Sequence, residues 1–288
     1  MFYNFHTFFI KNNAMTRYLL VFLAFMTFVA CSDKYASKVY RETNKQYRKQ
    51  SKRFAQLLGQ YPLHDSAGIN MSPEWVGTTN FSMRKPNFVV IHHTAQTSCE
   101  QTLKTFTLPR TQVSAHYVIC EDGIVYHMLN DYLRAHHAGL GRWGNDTDLN
   151  SSSIGIELDN DGFEPFKEPQ IQSLLLLLDR LKRAYNIPTA NFIGHADLAP
   201  TRKNDPNVTF DWKKLAEKGF GVWYGDTTNL AMPIDFNAMQ ALKIVGYDVR
   251  DTTAAITVFK RKYLQQDKSR ILTDEDKKVL YALLQKFL

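Results

Sequence analysis

Three short apolar runs constrain this chain more than any other feature: FVVIHH at 88–93, SIGIEL at 153–158 and NFIGH at 191–195. Consecutive branched aliphatic residues suit strands covered on both faces, since a strand with one wet face alternates apolar with polar. Each run breaks off on ionisable side chains: His92 with His93, Glu157, and His195. Rigid backbone holds groups at strand ends, so this is where a sheet collects a site. Two further runs, SAHYVIC at 114–120 and IVYHML at 124–129, flank the turn EDG and read as a hairpin. The stretch EPQIQSLLLLLDRLKRAY at 168–185 is helical. Pro169 sits early, where a missing N–H is tolerated, and Ile171, Leu174, Leu175, Leu178 and Leu181 form one stripe. Strands, hairpin and long helix in this order predict an α/β fold, a mixed central β-sheet flanked by helices.

Beyond residue 230 the pattern changes to three short helical segments near 236–245, 252–264 and 274–288, with Gly246 as a stop and Thr273 as an N-cap. These predict a small C-terminal three-helix domain, close to the lower size limit for independent folding. At the other end, YLLVFLAFMTFVA at 18–30 carries no charge, follows Lys11 and Arg17, and stops at Ala30 before Cys31. That is the layout of an export signal, too short to span a bilayer comfortably, with Met15 as an alternative start. FVAC resembles a bacterial lipobox, in which Cys31 is lipidated. Phe28 is an uncommon occupant of its first position, which leaves a plain secretory signal or an uncleaved anchor as the alternative.

The net charge of +7 invites a nucleic-acid reading, but residues 34–53 alone carry +7 and the remainder sums to zero. No nucleic-acid partner is expected. A basic strip after a lipid anchor reads instead as a spacer lying near an anionic membrane surface or wall polymer. Tyr40, Tyr47 and Phe54 fall seven apart within it, a weak helical stripe. Cys99 and Cys120 can pair in an oxidising compartment, yet Cys120 ends a strand-like run and reads as an inert buried thiol. Neither has the close spacing of a structural zinc site.

The loop GHADLAPTRKNDP at 194–206 follows the last strand and adds Lys203 and Asp205, stiffened by Pro200 and Pro206. Side chains alternate along a strand, so only one of His92 and His93 serves a given site. Two neutral imidazoles and one carboxylate, with a fourth position left for water, suit a catalytic zinc ion. Such an ion brings the pKa of bound water to about 7. A nearby glutamate takes the proton and passes it to a leaving amine, and a lysine two residues from a ligand stabilises negative charge on a carbonyl oxygen. A metal-assisted amide hydrolase needs a loop of this kind.

The motifs FVVIHHTA, VSAHYVICEDGIVYHML, RAHHAG, SIGIELDN and GHADLAPTRKNDP, followed by FDWKKLAEKGFGVW, run in colinear order across 87–223. They resemble the zinc-dependent N-acetylmuramoyl-L-alanine amidases of the AmpD and AmiD branch, related to phage lysozyme amidases and peptidoglycan recognition proteins. The resemblance implies one catalytic zinc on His92, His195 and Asp205, with Glu157 in acid/base catalysis and Lys203 supporting the transition state. His137 is implied in substrate contact, with ordering of the glycine loop as the alternative. The sequence departs from the family at His136, where a tryptophan is common, and at DPNV (205–208), where DPGP is common. His93 reads as a core or supporting residue, His116 and His127 as structural. Trp143 either stacks on a sugar or covers the core. The C-terminal segment resembles the peptidoglycan-binding module of such amidases, a packing appendage being the alternative.

The resulting expectation is a signal at 1–30, a lipid-anchored basic tether at 31–80, a zinc amidase domain at 81–227 and the helical module at 228–288. The protein would be a monomeric lipoprotein of the bacterial envelope, held in the outer membrane and facing the periplasm. Its partners would be peptidoglycan and muropeptides, and the membrane through Cys31.

Overall fold

The computed structural model describes residues 38–59, 77–265 and 269–288; the export-signal stretch and Cys31 lie outside the described residues. The chain divides into two compact units, Met1–Thr79 and Asn80–Leu288. In the first, the basic strip forms helix α1 (Arg41–Leu58), which buries none of its side chains. Among the described residues, no helix is long and apolar enough to cross a membrane.

The second unit is built on strands β1 (Phe88–His93), β2 (Tyr117–Ile119), β3 (Val125–His127), β4 (Ser153–Leu158) and β5 (Phe192–Gly194). Their order is β3-β2-β4-β1-β5, with the β2–β3 hairpin antiparallel and every other pair parallel, so the expected mixed sheet is present. The helices are α2 (Cys99–Thr107), α3 (Leu149–Ser152), α4 (Glu168–Tyr185), α5 (His195–Leu198), α6 (Trp212–Glu217), α7 (Ala238–Val245), α8 (Thr252–Leu264) and α9 (Asp274–Leu284). Helix α4 starts with Pro169 in its first turn and stops at Asn186 in a left-handed conformation, φ 51°. Thr273 caps α9 in a reciprocal box: its hydroxyl accepts from Asp276 N at 3.1 Å while Asp276 Oδ2 accepts from Thr273 N at 2.9 Å.

Both sheet faces are covered, which is why the strands lack polar alternation. Val89, Ile91, Ile154, Ile156, Leu158 and Phe192 pack with the leucine stripe of α4. On the opposite face Val90 and Ile193 join Trp143, Leu149 and the three C-terminal helices in one core, through residues such as Leu242, Phe259 and Leu280. Trp143 covers this core: it is buried and meets Tyr247 edge-on at 5.0 Å.

Helix α2 was not foreseen. Ser98 caps it, accepting from Gln101 N, but only Thr102 and Leu103 are buried, too few to mark a periodic stripe. It carries a correction with it. Its first residue, Cys99, is disulfide-bonded to Cys120 at the end of β2, with Cα atoms 5.4 Å apart, so Cys120 is not a free thiol. The short turn after β2 and the start of α2 meet only in three dimensions, out of reach of a spacing argument. The bridge closes a separation of 21 residues, which corresponds to about 3 kcal/mol of lost chain entropy in the unfolded state. Cys99→Ser should lower the urea-unfolding free energy by that order under oxidising conditions, and reduction of the parent protein should match it. A loss under about 0.5 kcal/mol would show that the bridge does not brace α2.

Candidate metal centre

Strand periodicity and register assemble the centre. In β1, His92 shares the face of Val90; in β4, Glu157 shares that of Gly155; and leaving β5, His195 shares that of Ile193. Parallel pairing sets His92 opposite Glu157 and Ile91 opposite Gly194, so all three side chains stand abreast where the strands end. Asp205 returns on the following loop, held by a hydrogen bond from Ala196 N to its carbonyl at 2.8 Å.

His92 Nδ1 and His195 Nδ1 lie 2.9 Å apart, and each lies 3.0 Å from Asp205 Oδ2. The three residues are only 1%, 3% and 5% exposed. Glu157 Oε1 stands 4.0 Å from His92 Nδ1. A cavity of about 340 Å³ opens over this group, lined also by Lys203, Gln96, Thr105, His136 and Arg202. All five residues assigned to chemistry from the sequence therefore meet at one cavity.

Burial, followed by the neighbouring His195, lowers the pKa of His92 to about 4, so its imidazole is neutral at pH 7. Burial, followed by Asp205, pushes the Glu157 carboxyl well up, with Lys203 opposing. Asp205 goes the other way: burial alone would raise it, but the imidazoles of His195 and His92 hold it below the usual carboxylate range.

The donor set fits a metal ion. His195 Nε2 is 2.8 Å from the carbonyl of Ala138, which only accepts, so Nε2 carries a proton, and in the neutral ring Nδ1 then presents a lone pair. That lone pair faces a carboxylate oxygen at 3.0 Å. Two acceptors so close repel unless a cation lies between them, and ligating histidines commonly donate their other N–H in this way. His92, His195 and Asp205 form a buried group whose ligand atoms can share one ion.

The other histidines are placed differently. His137 is buried, with Nδ1 at 3.0 Å from His92 Nε2 and Nε2 at 3.2 Å from Ser153 Oγ. Its ring occupies the space over Gly155, where a Cβ would collide with it. His116 accepts from Gly155 N at 3.1 Å and donates to Leu133 O at 3.0 Å. His127 stacks on Tyr117 with ring centres 4.4 Å apart. His93 sits at the cavity margin, and burial lowers its pKa.

Sequence reasoning missed a brace from the C-terminal helices. Asp197, in α5 two residues after His195, accepts from Gly194 N at 2.7 Å, from Lys262 Nζ at 2.6 Å and from Tyr247 Oη at 3.1 Å. Lys262, on α8, is buried and lies 4.1 Å over the Trp212 ring. Nothing in the sequence signals this, because Lys262 closes the basic run KRK at 260–262 of α8.

Two imidazoles and a carboxylate converging beside a buried glutamate, at the strand ends of a mixed sheet, suit a hydrolase whose side chains could hold a metal ion. Residues 82–208 match the N-acetylmuramoyl-L-alanine amidase family. The chain is 34% identical to N-acetylmuramoyl-L-alanine amidase AmiD of Escherichia coli over 187 residues, which cover 56% of this chain and 67% of AmiD. It is 36% identical over 104 residues to 1,6-anhydro-N-acetylmuramyl-L-alanine amidase AmpD of Haemophilus influenzae, covering 36% of this chain and 56% of that one. The structure of E. coli AmiD with the substrate anhydro-N-acetylmuramic acid-L-Ala-D-gamma-Glu-L-Lys superposes with a TM-score of 0.64 at 28% identity, over 73% of this chain and 93% of AmiD. AmpDh3 of Pseudomonas aeruginosa, in complex with anhydromuramic pentapeptide, gives 0.65 at 26% identity, over 76% and 99%. The chain belongs to the N-acetylmuramoyl-L-alanine amidase family.

Proposed function

We propose that this protein is a zinc-dependent amidase that cleaves the amide between N-acetylmuramic acid and the L-alanine of the stem peptide, in peptidoglycan or its fragments. The observation that carries this is the buried His92–His195–Asp205 group with Glu157 beside it at the floor of one cavity. When bound, zinc supplies Lewis acidity to a water molecule and to the scissile carbonyl. Glu157 accepts the proton of the attacking water and returns it to the departing alanine nitrogen. Lys203 supplies positive charge where the carbonyl oxygen becomes negative. The complexes of AmiD and AmpDh3 with anhydromuropeptides support a muropeptide as the occupant of this cavity.

The same proposal places the protein in the bacterial envelope as a lipoprotein, acylated at Cys31 and facing the periplasm, on the strength of the FVAC motif and the apolar run before it. Purified protein should contain about one zinc per chain by elemental analysis. Stripping it with a chelator should abolish release of free stem peptide from muropeptides, followed by mass spectrometry, and added zinc should restore it. Full activity in metal-free protein would refute the reading.

A further inference from the structure

His137 and Ala138 lie side by side on the loop after β3, and between them they touch the outer nitrogen of both histidine ligands. The backbone N–H groups of both residues donate to one acceptor, Asn150 Oδ1, at 3.0 and 2.8 Å, which fixes where the loop enters. The carbonyl of Ala138 takes the Nε2–H of His195. Arg202 Nη2 supports the same carbonyl at 3.1 Å.

For His92 the proton positions follow from a chain with one fixed end. The Leu149 carbonyl can only accept, so the hydroxyl proton of Ser153 is committed to it. The free lone pair of Ser153 Oγ then receives the Nε2–H of His137, 3.2 Å away. A neutral imidazole has a single N–H, so His137 Nδ1 is an acceptor, and His92 Nε2, 3.0 Å off, must donate to it. The lone pair of His92 is thereby left on Nδ1, the atom that faces His195 and Asp205.

We propose that His137 and Ser153 are positioning residues that fix His92 in its metal-binding tautomer, and that the His137–Ala138 segment, pinned by Asn150, orients both imidazole ligands at once. Both ring nitrogens of His137 are engaged, which leaves it no donor or acceptor for substrate. The assignment rests on the metal centre proposed above, and a binding measurement separates the two.

Zinc affinity is measured by competition with a chromophoric chelator for the parent protein, His137→Phe and Ser153→Ala, with circular dichroism to establish folding. His137→Phe should bind zinc about 10–100-fold more weakly, as for other residues that orient a ligating histidine. Ser153→Ala leaves the ring in place, removes its acceptor together with the hydrogen bond to the Leu149 carbonyl, and should lose a smaller factor in the same direction. In zinc-loaded protein with ¹⁵N-labelled histidine, the Nε2–H signal of His92 should persist in the parent and exchange away in His137→Phe. With zinc saturating, KM for a muropeptide should stay within about twofold. Unchanged zinc affinity in folded variants overturns the proposal, as does a raised KM with unchanged affinity, which would return His137 to substrate contact. If the parent protein bound no zinc, the metal centre itself would fall, and this assignment with it.

Discussion

Glu157→Gln should bind zinc as tightly as the parent protein and lose about 10²–10⁴ in kcat/KM, the usual contribution of a positioned general base. The substitution keeps size and shape in a residue that pairs in register with His92 and is almost wholly buried. What it removes is the ability to accept a proton. Burial and the Asp205 charge raise the Glu157 carboxyl, so the parent enzyme should lose rate as pH falls and Glu157 becomes protonated. A cation on the neighbouring ligands would shift that limb to lower pH, because it favours the carboxylate. The variant should show no such limb. Kinetics within tenfold of the parent would remove Glu157 from the chemistry, and loss of zinc would reassign it as a ligand.

Lys262→Met should destabilise the protein by about 3–5 kcal/mol in urea unfolding, the cost of leaving a buried carboxylate without its cation. Lys262 is 5% and Asp197 2% exposed, so water cannot replace the lost partner. The Tyr247 hydroxyl and Gly194 N–H remain, but neither carries charge. Asp197→Asn combined with Lys262→Met should recover part of the loss, since a neutral pair leaves no uncompensated charge. A cost below about 1 kcal/mol for the single variant would show that the pair is not the brace described.

His92, Glu157 and His195 were legible as candidates because each stands where an apolar run ends; strand alternation allowed only one of His92 and His93, and the choice of His92, like the roles of Lys203 and Asp205 on the following loop, came from the resemblance to the family's motifs. The long helix was legible from its leucine stripe, and the C-terminal helices from Thr273 and Gly246. Helix α2 and its disulfide were not, because a helix burying two side chains leaves no periodic trace and a cysteine partner depends on how a turn folds back. The engagement of His137 was equally hidden. It depends on Ser153 and Leu149, and on the empty space at Gly155, and no spacing in the sequence ties these positions to His137. Lys262 resembles a solvated helix lysine until its helix is seen lying against α5.

Gly155 leaves β4 bare at the point where the sheet carries its chemistry, and the ring of His137 occupies the gap. Residue size at 155 and ring shape at 137 are therefore a single variable. An atom added to the strand evicts the loop, and a smaller group on the loop opens a hole beneath His92. A change at one of these positions is therefore accommodated only by a matching change at the other.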